Sequence, residues 1–259
     1  MFPALSSSPE ARHAVASREL LNHAGQLVFR ALLLAVAIWF YSAGAEKLDF
    51  TGLPRSDTGA GFLYLVFLAL AVGMMLRIFP NRRIPMGARK HFSAGPPPEN
   101  SQKVSRSMLK QLHKGAFVSA LAWICLNAAV FAALHVFNML NPGAAVVLML
   151  AYAVCDIICI LIFCPFQAFF MGNRCCSVCR IYNWDYLMIC TPMIPFLHPY
   201  SAGLLLLSAA VVIRWETAVL SKPYLFIEET NENLGCTLCE DRLCRLNIMM
   251  KKGMKNDEH

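Results

Sequence analysis

Six of the eleven cysteines fall in two short polar segments on either side of the last apolar region. The first reads Asn173-Arg174-Cys175-Cys176-Ser177-Val178-Cys179-Arg180, and the second reads Gly235-Cys236-Thr237-Leu238-Cys239-Glu240-Asp241-Arg242-Leu243-Cys244. Each holds a Cys-x-x-Cys step, a spacing that lets two thiolates from one tight turn face a common centre. Two such turns supply the four ligands of tetrahedral zinc or of an iron–sulfur cluster. Cys176, Cys179, Cys236 and Cys239 are therefore the expected metal ligands, with Cys175 and Cys244 as alternates. Neither segment ends in the Cys-Pro step of bacterial ferredoxins, so the sequence leaves zinc and a 4Fe-4S cluster both open. A dithiol redox pair is the alternative use of the same thiols, and cysteines with no joint role are the plainest one.

Other residues offer weaker chemistry. Asp156 lies about ten residues into an apolar stretch, where an ionisable group is expensive and marks a functional site by default. Arg214 and Arg30 are its candidate partners. An Asp–Arg pair tying two helices together competes with a proton or cation pathway. Cys155 and Cys159, at i and i+4, share a helix face, and with some of the thirteen methionines they could form a soft-metal path. Buried cysteine is more often a small hydrophobe, which is the expectation for these two and for Cys125 and Cys190. His135 and His198 sit near the outer ends of their segments. A bis-histidine haem between them is not expected; a hydrogen bond at the membrane surface is. No phosphate-binding glycine loop, His-Glu-x-x-His motif or Gly-x-Ser-x-Gly elbow is present.

The elements that must position these groups follow from composition. Of 259 residues, 57% are hydrophobic and only 15% charged, with mean hydropathy +0.50. Several apolar stretches approach the roughly 20 residues a helix needs to cross a bilayer, so the expected fold is an all-α integral membrane protein. Disorder, collagen and a small disulfide scaffold are excluded. Spans are expected near 25–44, 60–79, 115–140, 146–171, 186–199 and 200–220. The fifth is short and kinked by Pro192 and Pro195, with Pro199 beyond it. Residues 1–24 precede the membrane domain of 25–220, and 221–259 form a small cysteine-bearing tail. Asn141-Pro142-Gly143 makes a tight outer turn. Ala43-Gly44-Ala45 resembles a signal-peptide cleavage site, but the polar leader before the first apolar core is long for that reading.

Orientation follows from charge. The loop 80–114 holds Arg82, Arg83, Arg89, Lys90, Lys103, Arg106, Lys110 and Lys114 against Glu99 alone, which accounts for the whole net charge of +7. Such a loop stays in the cytoplasm, and membrane topology accounts for it better than nucleic acid does. Val104, Met108 and Leu112 recur at i, i+4 and i+8 there, a pattern that suits a basic amphipathic helix on anionic lipid headgroups, or simply a solvated linker. With six crossings both termini lie inside, at the cell's inner (plasma) membrane, and both cysteine pairs face the reducing cytoplasm, where they are ligands or redox thiols rather than structural disulfides. With five they would lie on opposite sides. Arg214, Trp215 and Glu216 read as an interfacial anchor at the end of the last span.

The tail has few large apolar side chains beyond Tyr224, Leu225, Phe226 and Ile227, so bound metal is the expected means of folding it. Three functions stand: a membrane electron-transfer or redox-sensing protein with a cytoplasmic metal centre, acting alone or in a larger membrane complex; a scaffold with structural zinc; and a soft-metal transporter using Cys155, Asp156 and Cys159.

Overall fold

The computed structural model describes residues 9–53, 57–78, 91–92, 106–172, 178–227 and 230–234. All regular structure among them is helical. The α-helices are α1 (Pro9–Ser42), α2 (Thr58–Ile78), α3 (Arg106–Val136), α4 (Pro142–Leu161), α5 (Asp185–Cys190) and α6 (Pro199–Ser221). Five of them, all but α5, contain a stretch long and apolar enough to cross a membrane. Their outward faces confirm the solvent they are built for. Leu32, Trp39, Phe117, Ile124, Leu206 and Ile213 are each at least half exposed, an arrangement tolerable in lipid and not in water.

Local rules set the helix ends. Asn141 caps α4 by accepting from the Ala144 N–H at 2.9 Å, with Pro142 in the first turn where its missing N–H costs nothing. Asn138 ends the turn after α3 in a left-handed conformation, φ 54°, which asparagine tolerates. The expected span 146–171 is not one helix: α4 starts earlier and stops at Leu161. Pro165 lacks an N–H and disfavours helical geometry at Cys164, so the chain breaks and resumes as a π-helical turn over Phe166–Met171. From Arg106 the basic segment is helical and continuous with the third span in α3, whereas Val104 lies outside the described residues.

Segments that are distant in sequence mark the two ends of the bundle. At one end Tyr41 accepts a hydrogen bond from Asn141, and a Cβ on Gly143 would lie 2.8 Å from the Ala45 carbonyl, so α1 and α4 run antiparallel and close together. Phe50, in the α1–α2 connection, touches His198 there, and Tyr64 meets Tyr200. At the other end Arg77 bonds Asp185 at 2.5 Å and Asn183 at 3.0 Å. A Cβ on Gly73 would lie 2.2 Å from the Tyr186 hydroxyl, so glycine there makes room for the Tyr186 ring against α2. The segment 185–198 thus runs from the Arg77 end of the bundle, where Tyr186 meets α2, to the His198–Phe50 contact at the other end, packed on α4 and α6, although its regular helix is only six residues long. The main core lies along this seam, with Leu63, Val66, Met74, Met149, Ile189 and Met193 fully buried.

Candidate functional site

The Arg77–Asp185 end gathers Cys179 and Arg180, the end of α6 and the start of the tail. Arg180, the residue after Cys179, is buried and pairs with Glu216 near the end of α6. Glu216 also accepts from the Trp184 indole at 2.9 Å, and the Trp215 indole donates to the Arg180 carbonyl. Trp215 in turn packs edge-on against Phe226 and His91, and His91 stacks on Phe226. Asn231 donates to the Leu225 carbonyl at 2.8 Å, and His91 bonds the same carbonyl through Nδ1. Leu112 packs into this cluster. One junction therefore joins the segment after the π-turn, the end of α6, the start of the tail and part of the basic loop. The triplet expected to anchor at the interface divides here: Arg214 is exposed, while Trp215 and Glu216 turn inward to bind Arg180.

Of the expected metal ligands, Cys175, Cys176, Cys236, Cys239 and Cys244 lie outside the described residues. Cys179 is described and buried, packed with Ala116 and Ile181. Among the described residues no three His, Cys, Asp or Glu groups lie close enough to hold a metal ion.

Below the junction a cavity of about 280 Å³ opens between α3, α4, the π-turn and the Ile181–Ile189 stretch. Cys155, Cys159, Cys164 and Cys179 all line it, with Trp123, Tyr152 and Phe166 as its aromatic walls. Cys159 and Cys164 are hydrogen-bonded to each other. In an unbroken helix residues i and i+5 point roughly 140° apart, so it is the break at Pro165 that folds Cys164 back onto Cys159. Cys164 is followed directly by Pro165, and that Cys-Pro step inside an apolar stretch is the sequence signal for the helix break that gives Cys164 its role. Cys155 and Leu126 are exposed at the mouth, on the outer flank between α3 and α4. Cys190 is buried in the main core and Cys125 is exposed on α3, away from the lining.

Asp156 also lines the cavity, but its charge is spoken for. Arg30 Nη1 bonds its Oδ2 at 2.8 Å and the Ala153 carbonyl at 2.6 Å, with both side chains largely buried. Arg30 is the partner and exposed Arg214 is not, because α1 packs on α4 whereas α6 packs on α2 and α5. Asp156 lies five residues before the end of α4. A second buried pair, Arg77 with Asp185, was hidden in the sequence because each residue stood at the edge of an apolar stretch; Arg77 also lies 4.5 Å over the Tyr186 ring. His135 is exposed, and His198 stacks on Tyr200 and touches Phe50, so each serves the far end of the bundle locally.

Compared with protein-family models, curated proteins and solved structures, the chain matches none.

Proposed function

We propose that this chain is a multi-pass protein of the cell's inner membrane that serves in electron transfer or redox sensing. It crosses six times, with both termini cytoplasmic, and carries a thiolate-ligated metal centre on the cytoplasmic side. Cys176, Cys179, Cys236 and Cys239 are its ligands, with Cys175 and Cys244 as alternates. The observation that carries the reading is the junction of Arg180 with Glu216 and Trp215. It sets Cys179 and Arg180 beside the end of α6, and the second cysteine segment follows α6 in the chain. Six crossings fit the run of residues 185–198 from the Arg77 end of the bundle to its Tyr64 end, packed on α4 and α6. Between Tyr64 and Arg77 α2 rises about 20 Å, and non-helical backbone at such depth is tolerated only when covered by protein. Ile189, Cys190, Pro192 and Met193 are all buried.

A 4Fe-4S cluster would supply one-electron transfer, whereas zinc would hold the two segments without redox chemistry. The junction's packing favours a functional over a purely structural centre. Leu225, Phe226, Ile227 and Leu234 are already buried, so the start of the tail docks through Trp215 and His91 rather than through metal. The basic loop 80–114 then faces anionic lipid headgroups, at about 1 kcal/mol per Lys or Arg near the surface. Soft-metal transport is the weaker reading, since Arg30 already neutralises Asp156.

Metal analysis with a visible spectrum, on protein purified in detergent without oxygen, tests the proposal beside a Cys176→Ser/Cys239→Ser variant. Roughly four irons per chain with a broad visible absorption, lost in the variant, is the expected result. About one zinc without colour would move the protein to the scaffold class. Metal content unchanged by the double substitution would overturn the ligand assignment.

A further inference from the structure

A second thiol site lies inside the bundle, independent of any metal in the cytoplasmic segments. Four observations meet there. The Cys159 and Cys164 thiols are in hydrogen-bonded contact. They line a cavity of about 280 Å³, close to the lower bound of roughly 300 Å³ for small-molecule pockets, which suits a single-ring head group. The walls next to the thiols are aromatic, Trp123 and Phe166 lying 6.0 Å apart and Trp123 and Tyr152 4.8 Å apart. The exposed lining residues Leu126 and Cys155 mark its mouth on the outer surface of α3 and α4, two helices long and apolar enough to cross a membrane.

A bare cation needs polar ligands and no apolar space. A flat apolar molecule dissolved in the bilayer fits both the space and the entrance. We propose that Cys159 and Cys164 form a redox-active dithiol whose oxidant is a membrane quinone seated in this cavity. The reaction balances within the pair. Both S–H bonds break and one S–S bond forms between Cys159 and Cys164. The two electrons reduce the quinone ring, and the two protons end on its carbonyl oxygens as quinol. The helix break is what makes the step feasible, because a disulfide needs Cα atoms within about 7 Å and thiols aimed at each other.

The test uses the full-length protein in detergent, reduced, freed of reductant and kept without oxygen. One equivalent of a fully substituted short-chain ubiquinone is added, since a ring with no free position cannot be alkylated by thiols. About one quinone consumed per chain, with a disulfide-linked peptide joining Cys159 and Cys164, is the expected outcome. Cys125→Ser, outside the lining, should react like the parent. Leu126→Trp, an exposed substitution at the mouth, should slow quinone reduction by roughly tenfold or more while the soluble oxidant diamide still forms the same disulfide. Quinone reduction that persists in Cys159→Ser/Cys164→Ser would overturn the proposal. So would stoichiometric binding of Cu(I) at these thiols without quinone reduction, which would make the cavity a soft-metal site. Removal of Cys236 and Cys239 should leave the reaction intact, so loss of the metal centre and loss of this site read out separately.

Discussion

Asp156 and Arg30 show what an intramembrane charge is doing when its partner is known. A lone carboxylate in hydrocarbon is costly, but here it meets a guanidinium at 2.8 Å that is also tied to the Ala153 carbonyl. The arrangement cross-links α1 to α4 and leaves little reason to invoke ion passage. Asp156 stood out in the sequence, and so did both arginines, because charges are rare in apolar stretches. Choosing between the arginines was beyond the sequence. Arg30 lies twelve residues from the end of α1 and Arg214 fifteen residues into α6, so their depths are similar; only helix neighbourhood separates them. If the pair is structural, Asp156→Leu strands a buried cation and should cost on the order of 3 kcal/mol, whereas Arg30→Met with Asp156→Leu should recover most of it. Thermal unfolding of the parent, single and double variants in detergent reads this directly. A double variant no more stable than the single would show that the two charges do not support each other.

At the level of the element, the decisive residue is Pro165. The apolar pattern from 146 to 171 is uninterrupted by charge apart from Asp156, and hydropathy alone joins it into one span. Backbone chemistry divides it: the Ile162 and Phe163 amides both return to the Ile158 carbonyl, and Ala168 bonds the Cys164 carbonyl to start the π-turn. Hydropathy registers what a stretch can be dissolved in, not where its hydrogen bonds fail, which is why the thiol contact lay unread beside a visible Cys-Pro step. Pro165→Ala returns the missing N–H and lets α4 continue through Cys164. Cys164 should then rotate away from Cys159, and diamide should give several-fold less of the disulfide between them. Cysteine mapping after brief oxidation measures that yield. An unchanged yield would mean that the break is not what brings the thiols together.

Across the whole molecule, the charge distribution and the contacts agree on which parts share an end. The net charge of +7 sits in the loop between α2 and α3. His91 of that loop stacks on Phe226, Trp215 bonds Arg180, and Arg77 bonds Asp185, so the loop, the cysteine segment and the start of the tail meet without reference to any membrane. The antiparallel sense of α1 and α4 places the start of α1 toward the same end. What hydropathy could not supply was the passage between α4 and α6, because a segment that skirts the protein core needs neither twenty apolar residues nor a regular helix. Its start lies at Arg77–Asp185 and its His198 touches Phe50 at the other end of the bundle, and on the six-crossing proposal it takes the place of a full helix. A topology measurement separates six crossings from five. With protease-cleavable tags at each terminus and after Thr51, intact cells should show only the Thr51 tag cut, and opened cells all three. Cleavage of the carboxy-terminal tag in intact cells would put Cys236 and Cys239 across about 30 Å of hydrocarbon from Cys176, and a shared metal centre would then be physically impossible.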